Sequence, residues 1–228
     1  MKKITAMKNI FLFALALVFS ATLFAQEEEF ETSSRFGKSD RLMIDVYSDI
    51  WLGAPDSASI RGYCPGASVS MMQDFALGSS NFSLAVGLGI GTHNLHSESF
   101  IMKDANTDYM VFEAYPNPDD IKMNKLVLSY IDLPIELRFR TKRQNVFRFA
   151  IGGKFGYNIN NHTKYIDDYV KVKSFGVDYI NPLRYGVTAR IGYKMYNFYV
   201  FYGMSELFEA NKGTEMAPLS FGISFIPF

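Results

Sequence analysis

Val146-Phe147-Arg148-Phe149-Ala150-Ile151-Gly152-Gly153-Lys154-Phe155-Gly156-Tyr157-Asn158-Ile159-Asn160 sorts its side chains by a strict repeat of two. Phe147, Phe149, Ile151, Phe155, Tyr157 and Ile159 fall on one side, and Arg148, Ala150, Gly152, Lys154, Gly156 and Asn158 on the other. Two is the period of an extended strand, and a helix would scatter both sets around its axis. The same alternation recurs in 81–93, in 183–195 and in the second half of 126–140, where Leu133, Ile135, Leu137 and Phe139 oppose Asp132, Glu136, Arg138 and Arg140. Weaker versions at 41–52, 63–75, 197–206 and 217–227 bring the expectation to eight strands.

These segments run about 10–15 residues, longer than the ~5–6 of ordinary globular strands and enough for the ~9–11 that a tilted strand needs to cross a bilayer. Alternation by itself also suits a soluble lipocalin-like barrel with its apolar side inward. Three features favour the membrane, the third being the aromatic Phe228 after the last strand. The polar sides carry Gly87, Gly89, Gly91, Gly152, Gly156, Gly186 and Gly192, which weaken a strand unless space is short, as it is inside a narrow barrel. The connections, at about 53–62, 76–80, 94–124, 141–145, 161–181, 196–197 and 207–216, alternate long and short. Outer-membrane barrels show that pattern, with short periplasmic turns and long outer loops. The expected fold is all-β: an eight-stranded antiparallel up-and-down transmembrane β-barrel over 41–228, ending on the aromatic Phe228.

Ahead of the barrel, residues 1–25 read as a secretory signal peptide. Lys2, Lys3 and Lys8 precede the apolar run Ile10 to Phe19, and Ser20-Ala21-Thr22-Leu23-Phe24-Ala25 leads into Gln26; Met1 and Met7 serve equally as starts. An uncleaved anchor is the rival reading, but Asn9 to Ala25 is short of the ~20 apolar residues of a spanning helix. Residues 26–40, opening with Glu27-Glu28-Glu29-Phe30-Glu31, are expected to be a disordered acidic periplasmic lead-in.

The chain of 228 residues has 23 basic and 23 acidic side chains, so it lacks the basic surface of a nucleic-acid reader. Its single Cys excludes a disulfide framework and a Cys-based zinc site, and no motif calls for a cofactor. Gly87-Leu88-Gly89-Ile90-Gly91 has i, i+2 spacing within a strand, and Gly152-Gly153-Lys154 is followed by Phe155 where a phosphate loop needs Ser or Thr.

Asp132, Glu136, Arg138, Arg140, Arg148, Lys154, Arg184, Arg190 and Lys194 are expected to point into the lumen. Charges buried there must be paired, so an ion-pair network filling the barrel is the leading expectation and a proton or ion path the alternative. Lys142 and Arg143, in a periplasmic turn beside Arg138, Arg140, Arg148 and Lys194, suggest a basic rim on which the acidic lead-in or an acidic partner docks. The acids of 94–124 lack the spacing of a dedicated calcium loop, so a solvated outer loop is expected. His93, His96, Ser97, Glu98 and Ser99 are the cluster that a lipid-modifying hydrolase would use. Sequence neighbours His96 and Ser97 point to opposite faces of a strand, which argues against a Ser–His pair. Asp132 and Glu136, four residues apart, stand about 13 Å apart, too far for paired-carboxylate chemistry.

Ser129-Tyr130-Ile131-Asp132-Leu133-Pro134-Ile135-Glu136-Leu137-Arg138 resembles the Y-x-x-x-P-x-x-x-[RK] strand of the PorT-like outer-membrane β-barrel family of the Bacteroidetes. Ala150-Ile151-Gly152-Gly153-Lys154-Phe155-Gly156-Tyr157 is similar to that family's following G-x-x-x-G-Y strand, and 184–193 and the closing strand are similar too. The resemblance covers about 40–228; Pro227, which interrupts the last alternation, departs from it. It implies a small, non-enzymatic outer-membrane barrel with a structural or binding role. Because the family's namesake is linked to type IX protein secretion, it also implies an accessory of an outer-membrane or secretion complex. Outer-membrane lipid is the expected surrounding, with a protein partner at the periplasmic rim or the outer loops. A lipid A acyl hydrolase-like enzyme and a narrow pore are the alternatives.

Overall fold

The computed structural model describes residues 42–105, 107–115, 121–141 and 146–227. The segment 1–25, the lead-in 26–40 and the rim residues Lys142 and Arg143 lie outside the described residues. Among the described residues, eight long strands hydrogen-bond side by side: β1 (Leu42–Leu52), β2 (Pro65–Ala76), β3 (Phe82–His96), β6 (Met123–Arg140), β7 (Phe147–Ile166), β9 (Leu183–Tyr193), β10 (Tyr196–Gly203) and β11 (Ala217–Phe225). Each pairs antiparallel with its neighbour, and β11 returns to β1, so the sheet closes on itself. Closure leaves no unpaired edge, the condition for a sheet to sit in lipid.

The pleat then separates two environments. Val46, Ile90, Ile151, Val187, Phe198 and Ile223 are 48–71% exposed, forming an apolar belt that faces outward all round the ring. At the end bearing the tight turns, Phe139 opposes Phe82, Phe147 opposes Tyr193, and Tyr196 opposes both Tyr193 and Phe225. That aromatic row matches the girdle of a transmembrane barrel at its interface. An inverted, lipocalin-like barrel would have buried these side chains.

Connections 77–81, 141–146 and 194–195 are short; 53–64, 97–122, 167–182 and 204–216 are long. The long ones are more ordered than expected from sequence. Segment 97–122 holds the hairpin β4 (Ser99–Lys103) and β5 (Met110–Ala114), and β8 (Lys171–Phe175) folds back on an extended β7. The expectation of a solvated loop at 94–124 is therefore corrected. Met110 and Phe112 are buried with Trp51, Leu95, Leu126, Leu128, Ile180, Leu207, Phe208 and Met216 in an apolar core that caps the outer end of the barrel. Strand β10 stops at Gly203, short of the expected 206, because the amides of Met204 and Ser205 both turn to the Tyr185 carbonyl and the ladder ends there.

Ile151→Arg places a charge near the middle of the belt. It should destabilise the barrel in phosphatidylcholine vesicles by about 2–4 kcal/mol, read as a lower urea midpoint of the heat-modifiable species. An unchanged midpoint would put water rather than lipid on that face.

Candidate functional site

Period-2 geometry delivers the lumen contents one strand at a time. β1 turns Asp45, Tyr47 and Asp49 inward; β6 contributes Asp132, Glu136 and Arg138; β7 contributes Arg148 and Lys154; β9 contributes Arg184 and Arg190, all buried. Glycines opposite them make the space. A Cβ on Gly156 would stand 2.6 Å from Asp132 Oδ1 and 3.2 Å from Arg184 Nε, and one on Gly91 would stand 2.7 Å from Asp132 Oδ2.

These charges interlock. In the periplasmic half, Glu136 accepts from both Arg190 Nη1 and Arg138 Nε, the latter at 3.0 Å. Arg138 reaches on to Asp74 at 3.1 and 3.3 Å, and Asp74 also accepts from Ser83 at 3.1 Å. The other arm of Arg190 donates to Asp45 at 3.0 Å, beside Ser68 at 2.9 Å. Lys154 lies 4.0 Å from the same Asp45 oxygen and donates to the Tyr199 hydroxyl at 2.8 Å. Farther out, Arg184 bonds Asp132 at 2.6 Å while its guanidinium stacks 4.2 Å from the Tyr130 ring centre. Asp49 accepts from Ser220 at 2.6 Å and pairs with His93 Nδ1 at 2.8 Å. Five carboxylates (Asp45, Asp49, Asp74, Asp132, Glu136) thus share the interior with five cations (Arg138, Arg148, Lys154, Arg184, Arg190).

Lys194 is corrected: it is exposed in the β9–β10 turn at φ 55°. The ladder closes at Tyr193–Tyr196, so alternation stops one residue before it. Arg140 is half-buried, lining a cavity of about 30 Å³ at the periplasmic mouth with Arg138, Arg148, Asn197 and Ile226. The expected basic rim is thereby thinned, because Arg138 and Arg148 turn inward and Arg138 is committed to Asp74 and Glu136. Sequence reading missed Asp45, Asp49 and Asp74 as the balancing acids. The signal was present, since Met43, Asp45, Tyr47, Asp49 and Trp51 form the second face of β1.

The hydrolase cluster is dispersed. His93 is deep in the lumen, and Ser97 and Ser99 donate to the carbonyls of Ser99 and Ser57 at 3.1 and 2.6 Å. Glu98 pairs with Arg61 at 3.5 Å.

Outside the membrane, one acid organises the loops. Asp108 contacts Lys103, accepts from Lys212 at 2.6 Å and accepts from the Tyr179 hydroxyl at 2.8 Å. It thereby clasps the β4–β5 hairpin to the segments after β8 and β10. The Lys103 ammonium, then Lys212 and Tyr179, hold the Asp108 carboxyl well below the usual carboxylate range, and the same contact raises Lys103.

A closed eight-stranded ring with an outward apolar belt, an aromatic girdle and a lumen packed with paired charges is an outer-membrane β-barrel. The chain belongs to the outer membrane protein beta-barrel domain family, whose model matches residues 24–209. No curated protein and no solved structure matches the chain.

Glu136→Gln leaves two buried guanidiniums short of a counter-charge and should cost about 3–5 kcal/mol. Urea titration of the folded barrel measures the loss, and adding Arg190→Met should recover part of it. For the outer clasp the sign follows from the depressed folded-state value. Its contribution is full above about pH 4 and is lost as pH falls from there toward the folded-state value. Asp108→Asn should therefore expose the outer loops to protease on intact cells at pH 7, whereas the parent loses its protection only in acid.

Proposed function

We propose that this chain is a non-enzymatic outer-membrane barrel with a structural or binding role, a closed post that holds a folded outer head. The observation that carries the reading is the filled interior. Paired charges fill the middle, the Trp51–Leu126–Phe208 core lies above them, and Met43, Met72, Ala85 and Ile226 pack below. Neither a wide water-filled path nor an accessible nucleophile accompanies these groups among the described residues. An eight-stranded lumen is just wide enough for side chains, so filling it yields rigidity at the expense of conduction.

The PorT-like resemblance extends the proposal to an accessory role in an outer-membrane or type IX secretion complex, with a protein partner at the outer loops or the periplasmic rim. Physically, the residues that carry the resemblance are mostly builders of the lumen. Tyr130 stacks on Arg184, Arg138 bridges Glu136 and Asp74, and Gly156 leaves room for Asp132. They support shared barrel construction more strongly than a shared partner. The folded outer head, clasped through Asp108, supports partner binding on the cell surface.

Reconstituted in planar bilayers, the protein should give no resolved ionic steps, and deletion of its gene should leave the lipid A mass spectrum unchanged. Steady conductance would turn the reading to a narrow pore, and a lipid A mass shift to an enzyme.

A further inference from the structure

Above the apolar belt, the outward face of the sheet gathers a second set of cations. The strand registers set His96 opposite Lys125, Lys125 opposite Lys164, and Lys164 opposite Lys173, so one rung crosses β3, β6, β7 and β8. Leu126 and Leu128 are buried on β6, so the intervening odd residues, Lys125 among them, point away from the lumen. On β7 the outward position of Lys164 depends on a bulge. Ser129 faces Asn160 while Tyr130 faces Asn158, so Ile159 is an extra residue and the two faces exchange beyond it. Without the bulge, Lys164 would point inward.

Like charges directly opposite one another on adjacent strands are destabilising, so this rung opposes the stability of the sheet it sits on. Among the described residues no carboxylate neutralises it. Asp168 is taken by Lys122, Asp167 accepts the amides of Tyr169 and Val170, and Glu98 is taken by Arg61. Lys125 donates to the Asn94 side chain at 3.1 Å, and Lys173 rests over the Phe175 ring at 4.4 Å; both contacts position an ammonium without cancelling its charge.

The height of the rung identifies what meets it. A belt ~25 Å tall that rises from the Phe139 girdle on a tilted strand ends near Ser129. Lys125 lies four residues beyond, about 13 Å along the strand, on the side that faces lipid. A lysine bending back along the strand brings its ammonium to the polar layer of the membrane. The long loops mark this end as the outer one. We propose that Lys125, Lys164 and Lys173, flanked by His96 and Asn94, form a binding row for the phosphate groups of anionic lipid in the outer leaflet. The row recognises spaced phosphates, because its three lysines sit on adjacent strands whose backbones are ~4.8 Å apart and their three charges exceed what a single phosphate neutralises.

The test uses the full chain refolded in zwitterionic detergent, its folding established by the heat-dependent gel shift. Native mass spectrometry then reads retention of bisphosphorylated lipid A, of its dephosphorylated form, and of inorganic phosphate. With roughly fivefold per lysine near an anionic surface, the phosphorylated lipid should be retained on the order of 100-fold better than the dephosphorylated one. The triple variant Lys125→Gln, Lys164→Gln, Lys173→Gln should lose that preference, while Lys194→Gln, a cation exposed in the β9–β10 turn at the opposite end of the barrel, should keep it. Equal retention of the two lipids by the parent overturns the proposal, as does a triple variant that keeps the preference. Inorganic phosphate binding as well as the phosphorylated lipid would also overturn it. The parent's comparison of the two lipids decides the matter even if the triple variant does not fold.

Discussion

Charge taken out of water must be neutralised where it lands, and in this barrel it lands in a lumen no wider than its side chains. That constraint fixes much of what surrounds it. The acids on β1 and β6 stand within reach of the bases on β7 and β9 because Asp45 and Glu136 share the two arms of Arg190. Long cations need room, so glycine takes facing positions; on Gly156 a Cβ would crowd the Arg184 guanidinium at 3.2 and 3.3 Å. Aromatic rings then fill the remaining volume while still favouring charge, with Tyr199 stacked 4.5 Å from the Arg190 guanidinium. Because a one-residue slip turns every side chain to the other face, any error of register drives these charges into lipid. The network therefore specifies the alignment of the strands as well as filling the space between them.

The ends of the barrel follow from the same requirement. An ion pair is electrostatically stronger where water is scarce, and an apolar cluster lies at each end of the lumen. The lower one is small, built from Met43, Met72, Ala85 and Ile226. The upper one recruits the loops, since the inward-facing ends of β1, β3 and β6 expose Trp51, Leu95, Leu126 and Leu128 that only loop residues can cover. Covering them folds the outer loops into a head, and the Asp108 clasp then links segments that the barrel alone leaves separate. An outer surface rigid enough to present a binding face is thus a consequence of capping the lumen.

The ring was legible in sequence wherever both faces of a strand were chemically distinct. Segment 147–157 sorts aromatic from Arg, Lys and Gly so cleanly that its inward and outward sides follow from order alone. β1 was harder, because its inward face mixes Met43, Tyr47 and Trp51 with Asp45 and Asp49, and apolar residues on both sides hide the acids. Asp74 is hidden for another reason: it lies near the end of β2, where the alternation weakens, and its contacts with Ser83 and with Arg138 two strands away show its role. Lys194 erred the other way, since nothing in composition marks the residue at which a strand ends and a turn begins. The buried loop residues Met110 and Phe112 sit in a segment rich in Asp and Glu, and local polarity outweighed them.

The bulge at Ile159 joins these two halves of the molecule. Below it, β7 obeys the lumen's demand, with Lys154 inward beside Tyr199 and Asp45. If the alternation ran on unbroken, His162 and Lys164 would also face inward, toward the apolar cap that Leu126 and Leu128 build from the adjacent strand. A lysine there would have no acid to pair with, since the lumen's carboxylates are already balanced by its cations. One inserted residue exchanges the faces and sends both side chains out. The bulge thus removes a charge from a place where it would be unpaired and sets it beside Lys125 and Lys173, where no carboxylate among the described residues balances it.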